Sequence, residues 1–110
     1  MIPLLGNVSK IVRFSDLSIY FGNGVNSHSL ALANMIFDNC KLYFYRNVTF
    51  TNTNTDNSRF IIDPTKAVSF VSSKINDQRS TKTISADINT EISGTTSANY
   101  TETLPTDPSL

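Results

Sequence analysis

The sequence predicts an all-β chain folded as a short solenoid of about three to four stacked coils. Three observations carry that expectation. The segments VRFSDLSIYFGNGV from Val12, MIFDNCKLYFYRNV from Met35 and SRFIIDPTKAVSFV from Ser58 repeat with a spacing of about 23 residues. Within them apolar and polar residues alternate, as in Val12, Phe14, then Leu17, Ile19, Phe21, and again in Cys40, Leu42, Phe44 and in Val48, Phe50. A period of two buries one face of a strand and solvates the other. Thr, Ser and Asn dominate the polar residues, and Glu, Lys, Gln and Ala are sparse, which favours strands over helices.

Taken in order, Met1 to Leu5 is apolar enough to cover the first coil, with Pro3 blocking a further strand partner. Strands are expected around Val12 to Phe14 and Leu17 to Phe21, separated by the turn formers Ser15-Asp16 and followed by Gly22-Asn23-Gly24. The SLALANMIF stretch ending at Phe37 is the one place where a helical turn competes, and the strand reading is preferred. Arg46-Asn47 and Asp63-Pro64-Thr65 mark later corners. The repeat puts Phe14, Phe37 and Phe60 in one column, Val25, Val48 and Val71 in another, and matches Tyr20 and Phe21 with Tyr43 and Phe44. It slips in the third coil, where Asp63 falls in the column of Leu17 and Cys40, and Val68-Ser-Phe70 fits Val48-Thr-Phe50 better at a spacing of about 20 residues. Unequal coils explain the slip, because insertions in a solenoid fall at corners. A fourth coil continues through Ile84, Ala86, Ile88 and Ile92. Residues 1–93 therefore read as a solenoid domain with an N-terminal cap, and 94–110 as a polar tail or an arm laid on a neighbour. The alternative is a small antiparallel β-sandwich, whose turns fall at similar spacing.

Composition narrows the partners. The 110 residues suffice for one domain. Lys and Arg balance Asp and Glu, and only 16% of residues are charged, so electrostatic capture of nucleic acid or of an anionic membrane is not expected. No apolar run approaches the roughly 20 residues that span a bilayer, and the start of the chain lacks a basic region before an apolar run, so no signal peptide is expected. The single Cys40 excludes an internal disulfide and reads as a small buried filler.

No cluster of residues specifies a reaction. His28, the only histidine, sits in a loop without a strand-to-helix nucleophile elbow. One Cys and one His cannot build a structural zinc site, and no cofactor is implied. Enzymes that cut polysaccharides need an acid and a base or nucleophile at fixed separation. Asp63, Asp87 and Glu91 are the catalytic candidates on that ground, but Asp63 before Pro64 reads more simply as a turn starter. Tyr20, Tyr43 and Tyr45 are the binding candidates. The alternation points them away from the interior, where tyrosines pack on sugar rings or on a protein neighbour, although Tyr is also a strong strand former in any role.

The runs FDNCKLYFYRNVTFTN and AVSFVSSKIN resemble the coils of right-handed parallel β-helices of the bacteriophage tailspike and pectate-lyase-like type, over roughly Val12 to Ile92. The resemblance implies homotrimers that attach to, or cleave, bacterial surface polysaccharide. The chain is shorter than a tailspike and shows no acidic pair, so no catalytic residue is carried over. The expected function is a structural and binding module of a virion or extracellular surface appendage, contacting a surface glycan or a neighbouring subunit. The alternative is a fragment of a polysaccharide-degrading enzyme.

Overall fold

The computed structural model describes residues 10–23 and 28–106, and all regular structure within them is β. Each coil contributes three strands. The first has β1 (Val12–Ser15), β2 (Ser18–Phe21) and β3 (Leu30–Ala33); the second β4 (Met35–Asp38), β5 (Lys41–Phe44) and β6 (Val48–Thr51); the third β7 (Asn54–Asp56), β8 (Arg59–Ile62) and β9 (Val68–Val71). The fourth has β10 (Lys74–Ser80), which runs through two strand positions, and β11 (Ser85–Ala86), and β12 (Glu91–Ser97) opens the next turn. Each strand pairs in parallel with its equivalent one coil away, giving the stacks β1-β4-β7-β10-β12, β2-β5-β8-β10 and β3-β6-β9-β11. This is a parallel β-solenoid of about four turns. The sandwich alternative falls, because β2 joins β5 in parallel and forms no hairpin with β3. The N-terminal cap expected from Met1 to Leu5, and Val25, lie outside the described residues.

The register corrects the fixed repeat. Phe14 pairs with Phe37, and Tyr20 and Phe21 pair with Tyr43 and Phe44, at the expected spacing. Beyond that, Phe37 pairs with Thr55, and Phe60 lies on Leu42 in a different column. Val48 pairs with Val68 and not with Val71, and Phe50 with Phe70. Successive coils are thus offset by 23, 18 and 20 residues. The reason is local. Two of the three corners keep their length, and the third varies: residues 22–29 in the first coil, 45–47 in the second, 63–67 in the third. The long first corner inflated the apparent period.

The two constant corners turn on residues in the left-handed region. One column is Asp16, Asn39, Asn57, Asp77 and Gly94, with φ from 48° to 68°; the other is Asn34, Asn52 and Ser72, with φ from 49° to 62°. Asn and Asp tolerate this conformation because their short polar side chains bond locally, and glycine has no Cβ to clash. Here they also bond along the stack. The Asn39 amide donates to Asp16 (2.7 Å), Asn57 to Asn39 (3.3 Å) and Asn52 to Asn34 (2.8 Å). At four of these turns the next residue, Cys40, Thr53, Ser58 or Ser73, is buried and small or hydroxylic. Ser58 Oγ accepts from the Cys40 amide and donates to the Asp56 carbonyl; Ser73 Oγ accepts from the Thr53 amide and donates to the Val71 carbonyl. Backbone groups that the bend would leave unpaired are satisfied this way. Cys40, in the first of these columns, is buried as expected.

Between the three stacks lies a narrow apolar interior. Phe37, Phe44, Phe50, Phe60 and Phe70 are fully buried, with Leu42, Val48, Val68 and Ile75. Phe50 is its hub, meeting Phe21, Phe37 and Phe44 edge to face and stacking on Phe70 at 5.1 Å between ring centroids. Edge-to-face contacts add to simple burial because ring edges and faces carry opposite partial charge. Toward the C-terminal end the interior becomes polar, with Thr53, Thr55 and Gln78 buried and Thr55 donating to Gln78 at 3.3 Å.

Phe50→Ala should therefore lower the unfolding free energy by about 3 to 5 kcal/mol, the usual range for a buried Phe truncation. Chemical denaturation reads this directly, and a loss below about 1 kcal/mol contradicts the packing. Asn57→Ala should cost about 1 to 2 kcal/mol through its left-handed backbone, whereas Asn57→Gly should recover most of that loss.

Candidate functional site

The outward side of the β2-β5-β8 stack carries Tyr20, Tyr43 and Ile61 in one register column. The Tyr20 and Tyr43 rings stack at 4.6 Å, nearly parallel, and Tyr45 follows at 6.5 Å from Tyr20. All three tyrosines face away from the solenoid core, yet the open tyrosine face expected from the sequence is largely covered. Tyr43 and Tyr45 are each 6% exposed, and only Tyr20, at 40%, remains open.

The cover is the chain's own C-terminal arm. After β12 the chain bonds once more to the stack, Tyr100 N–H to the Ser80 carbonyl, and then turns back along the outer face. Tyr100 and Leu104 pack against Tyr43, Tyr45 and Ile61. Pro105 offers its carbonyl to Tyr45 Oη at 2.7 Å. Glu102 is the clamp. Its carboxylate accepts from Tyr43 Oη at 3.0 Å and from Tyr100 Oη, and pairs with Lys41 Nζ at 3.0 Å. The Arg59 guanidinium lies over the Tyr100 ring, 5.9 Å from its centroid, within cation–π range.

Electrostatics follow this geometry. The hydrogen bond from Tyr100, helped by those from Lys41 and Tyr43, holds the Glu102 carboxyl below its ordinary value against the opposing effect of burial. Burial, and then the neighbouring carboxylate, push the Tyr43 and Tyr100 hydroxyls up. The Glu102 hydrogen bond raises Lys41. The clamp is therefore built from ionised Glu102, charged Lys41 and neutral phenols.

Beside the arm opens a cleft of about 800 Å³, bounded by the corner residues Ile62, Asp63 and Pro64, by Thr81 and Lys82 one coil on, and by Ala98 to Leu104. Lys82 Nζ donates to the Pro64 and Lys66 carbonyls, which ties the wall across two coils. Asp63 Oδ1 accepts from Thr65 N–H (2.9 Å) and Thr65 Oγ1 (2.8 Å), and these bonds hold its carboxyl low.

The three catalytic candidates are not brought together. Asp63 follows β8, at the variable corner. Asp87 lies between β11 and β12, where it accepts from Thr90 Oγ1 (2.6 Å) and from Ser72 N–H (3.0 Å), which keeps it ionised. Glu91 is exposed at the start of β12, in register with Lys74. His28 is exposed, and among the described residues no three His, Cys, Asp or Glu side chains gather to hold a metal. Glu102, Lys41, Arg59 and Lys82 are the contributors that sequence reading missed. The one signal, for Glu102, was the alternation Tyr100, Glu102, Leu104, a period of two within a polar tail.

Glu102→Gln should loosen the arm, seen as faster hydrogen exchange and proteolysis within residues 98–106. Because the folded-state pKa of Glu102 is depressed, docking is fully present above its ordinary value of 4.5 and is lost as pH falls through the lower folded value. The two raised tyrosines act oppositely, so docking also weakens as pH rises past 10.0 through their folded values. A Glu102→Gln arm that keeps the wild-type acid transition contradicts the assignment.

No protein-family model and no curated protein matches this chain, so the reading of its surface rests on the geometry alone.

Proposed function

We propose that the chain is a non-enzymatic binding module of a tailspike-like virion or cell-surface appendage, and that the cleft beside the arm takes a bacterial surface glycan. The cleft carries the proposal. Its volume falls within the roughly 300 to 1,000 Å³ of small-ligand sites. Its lining combines what a sugar needs: a tyrosine ring for the C–H face, the Asn99 amide, threonine hydroxyls, and the fixed charges of Asp63 and Lys82 for ring hydroxyls. Tyr20 extends the aromatic surface on the same flank as a further platform.

Binding is favoured over hydrolysis by the carboxylates. A glycosidase keeps one carboxylic acid protonated at neutral pH, which requires a raised pKa. Asp63, Asp87 and Glu102 are all shifted down. The arm occupies the outer apolar patch of Tyr43, Tyr45 and Ile61, so glycan contact falls to the cleft beside it.

Titration of the purified chain with capsular and lipopolysaccharide oligosaccharides by calorimetry tests the reading. Binding should weaken about tenfold, or ~1.4 kcal/mol, in Asn99→Ala and in Lys82→Ala, with no reducing ends released. Failure to bind any of these glycans, or release of reducing ends, overturns it.

A further inference from the structure

The two ends of the solenoid are unfinished in a complementary way. Among the described residues, β1, β2 and β3 at one end pair only with the coil that follows, through β4, β5 and β6. At the other, β12 pairs only with β10 and β11 only with β9. Among the described residues, the outer edges of these end strands carry no further strand, and such an edge is a template for another strand. Apolar side chains stand open there too: Ile11, Val12 and Leu17 at the first end, Ile92 and Ile88 at the last.

The register says what fits. One outward column runs Arg13, Ile36, Asn54, Lys74, Glu91, and the inward column beside it runs Phe14, Phe37, Thr55, Ile75, Ile92. A further coil built from β1 of another copy places Arg13 beside Glu91 and Phe14 over Ile92. Glu91 then stands between Lys74 of its own chain and an incoming Arg13, an alternation of charge that favours the pairing. Arg13 already bonds Asp38 at 3.1 Å but keeps 61% of its side chain exposed, so it has donors to spare. The interior is also incomplete at this end. A cavity of about 140 Å³ lies among Gln78, Ile84, Ile92 and Thr96, and the buried Gln78 Nε2 and Thr96 Oγ1 have no hydrogen-bond partner. The arm leaves most of the end uncovered, because after one bond from Tyr100 to Ser80 it runs back along the flank.

The geometry points to head-to-tail stacking of copies of this chain, the N-terminal coil of one on β11 and β12 of the next, extending one continuous solenoid. Parallel pairing selects this arrangement. Placing two like ends together would run the strands antiparallel and set Arg13 against Arg13 or Glu91 against Glu91. A heterologous contact of this kind does not close on itself and grows as an open filament. No residue of β1, β11 or β12 lines the glycan cleft, which shares only Lys82 and Ala98 with the cavity at this end, and neither proposal depends on the other.

Two substitutions on half-exposed residues block one end each: Val12→Lys the first, Ile92→Lys the last. Unchanged circular dichroism and thermal melting establish that each still folds. In sedimentation velocity the wild-type mass should rise with concentration without a plateau, and each variant alone should stay monomeric. An equimolar mixture of the two should double in mass and stop, since one open end remains on each. A wild-type chain that stays monomeric, or closes at a dimer or trimer, overturns the proposal. So does a mixture that remains monomeric, or a single blocked variant that still polymerises.

Discussion

Everything in this structure depends on one constraint: each strand must find its equivalent in the next coil, in parallel and in register. Parallel ladders leave no room for a one-residue slip, because a slip turns the whole inward set outward. The chain meets the constraint at its corners. Through the first three coils two corners keep constant length and bend at left-handed Asn, Asp or Ser, which leaves the third to absorb the changes in coil length there. The ladders Asp16–Asn39–Asn57 and Asn34–Asn52 use the side chains that permit the bend to tie each coil to its neighbour as well. Local backbone preference and long-range pairing thus agree, the condition under which a sequence specifies one fold.

That register also shapes the two faces of the β2-β5-β8 stack. Inward, it builds the aromatic interior around Phe50; outward, it aligns Tyr20, Tyr43 and Ile61 into a patch too apolar to leave wet. The arm resolves this within the same chain. Glu102 gains three hydrogen-bonding partners at once, and the arm's apolar residues meet Tyr43 and Tyr45. Covering the patch creates the cleft at its edge, so the feature that silences most of the tyrosine face also forms the concave surface on which a ligand can sit. Among the described residues the arm leaves most of the solenoid's ends uncovered, and the strand edges there are the other surface on which association is proposed.

Much of the fold was legible because stacked strands repeat their chemistry. Tyr20-Phe21 over Tyr43-Phe44, and Val48-Thr-Phe50 over Val68-Ser-Phe70, are direct images of the register. Phe60 was misplaced because a fixed period treats a long first corner as typical, and Phe over Phe looks the same in either column until coil length is known. Thr55 under Phe37 breaks the visible pattern, since a buried hydroxyl paired with Gln78 gives no apolar signal. The site was harder to read. The outward direction of the tyrosines followed from alternation, but their burial depended on a segment whose polar composition disguises the alternating Tyr100, Glu102 and Leu104. That alternation alone does not single out Glu102 among its Thr neighbours; its role exists only where the arm meets Lys41 and Tyr43.

The register itself admits a direct test by crosslinking. Equivalent residues in adjacent parallel strands lie about 4.8 Å apart, within the Cα separation that a disulfide spans. In a Cys40→Ala background, Thr49→Cys with Ser69→Cys joins partners in β6 and β9, while Thr49→Cys with Ser72→Cys follows the 23-residue repeat that the first two coils show. Under mild oxidation the first pair should crosslink within the monomer and the second should not. Crosslinking of the second pair in preference to the first would contradict the stacking on which the interior, the arm and both surfaces depend.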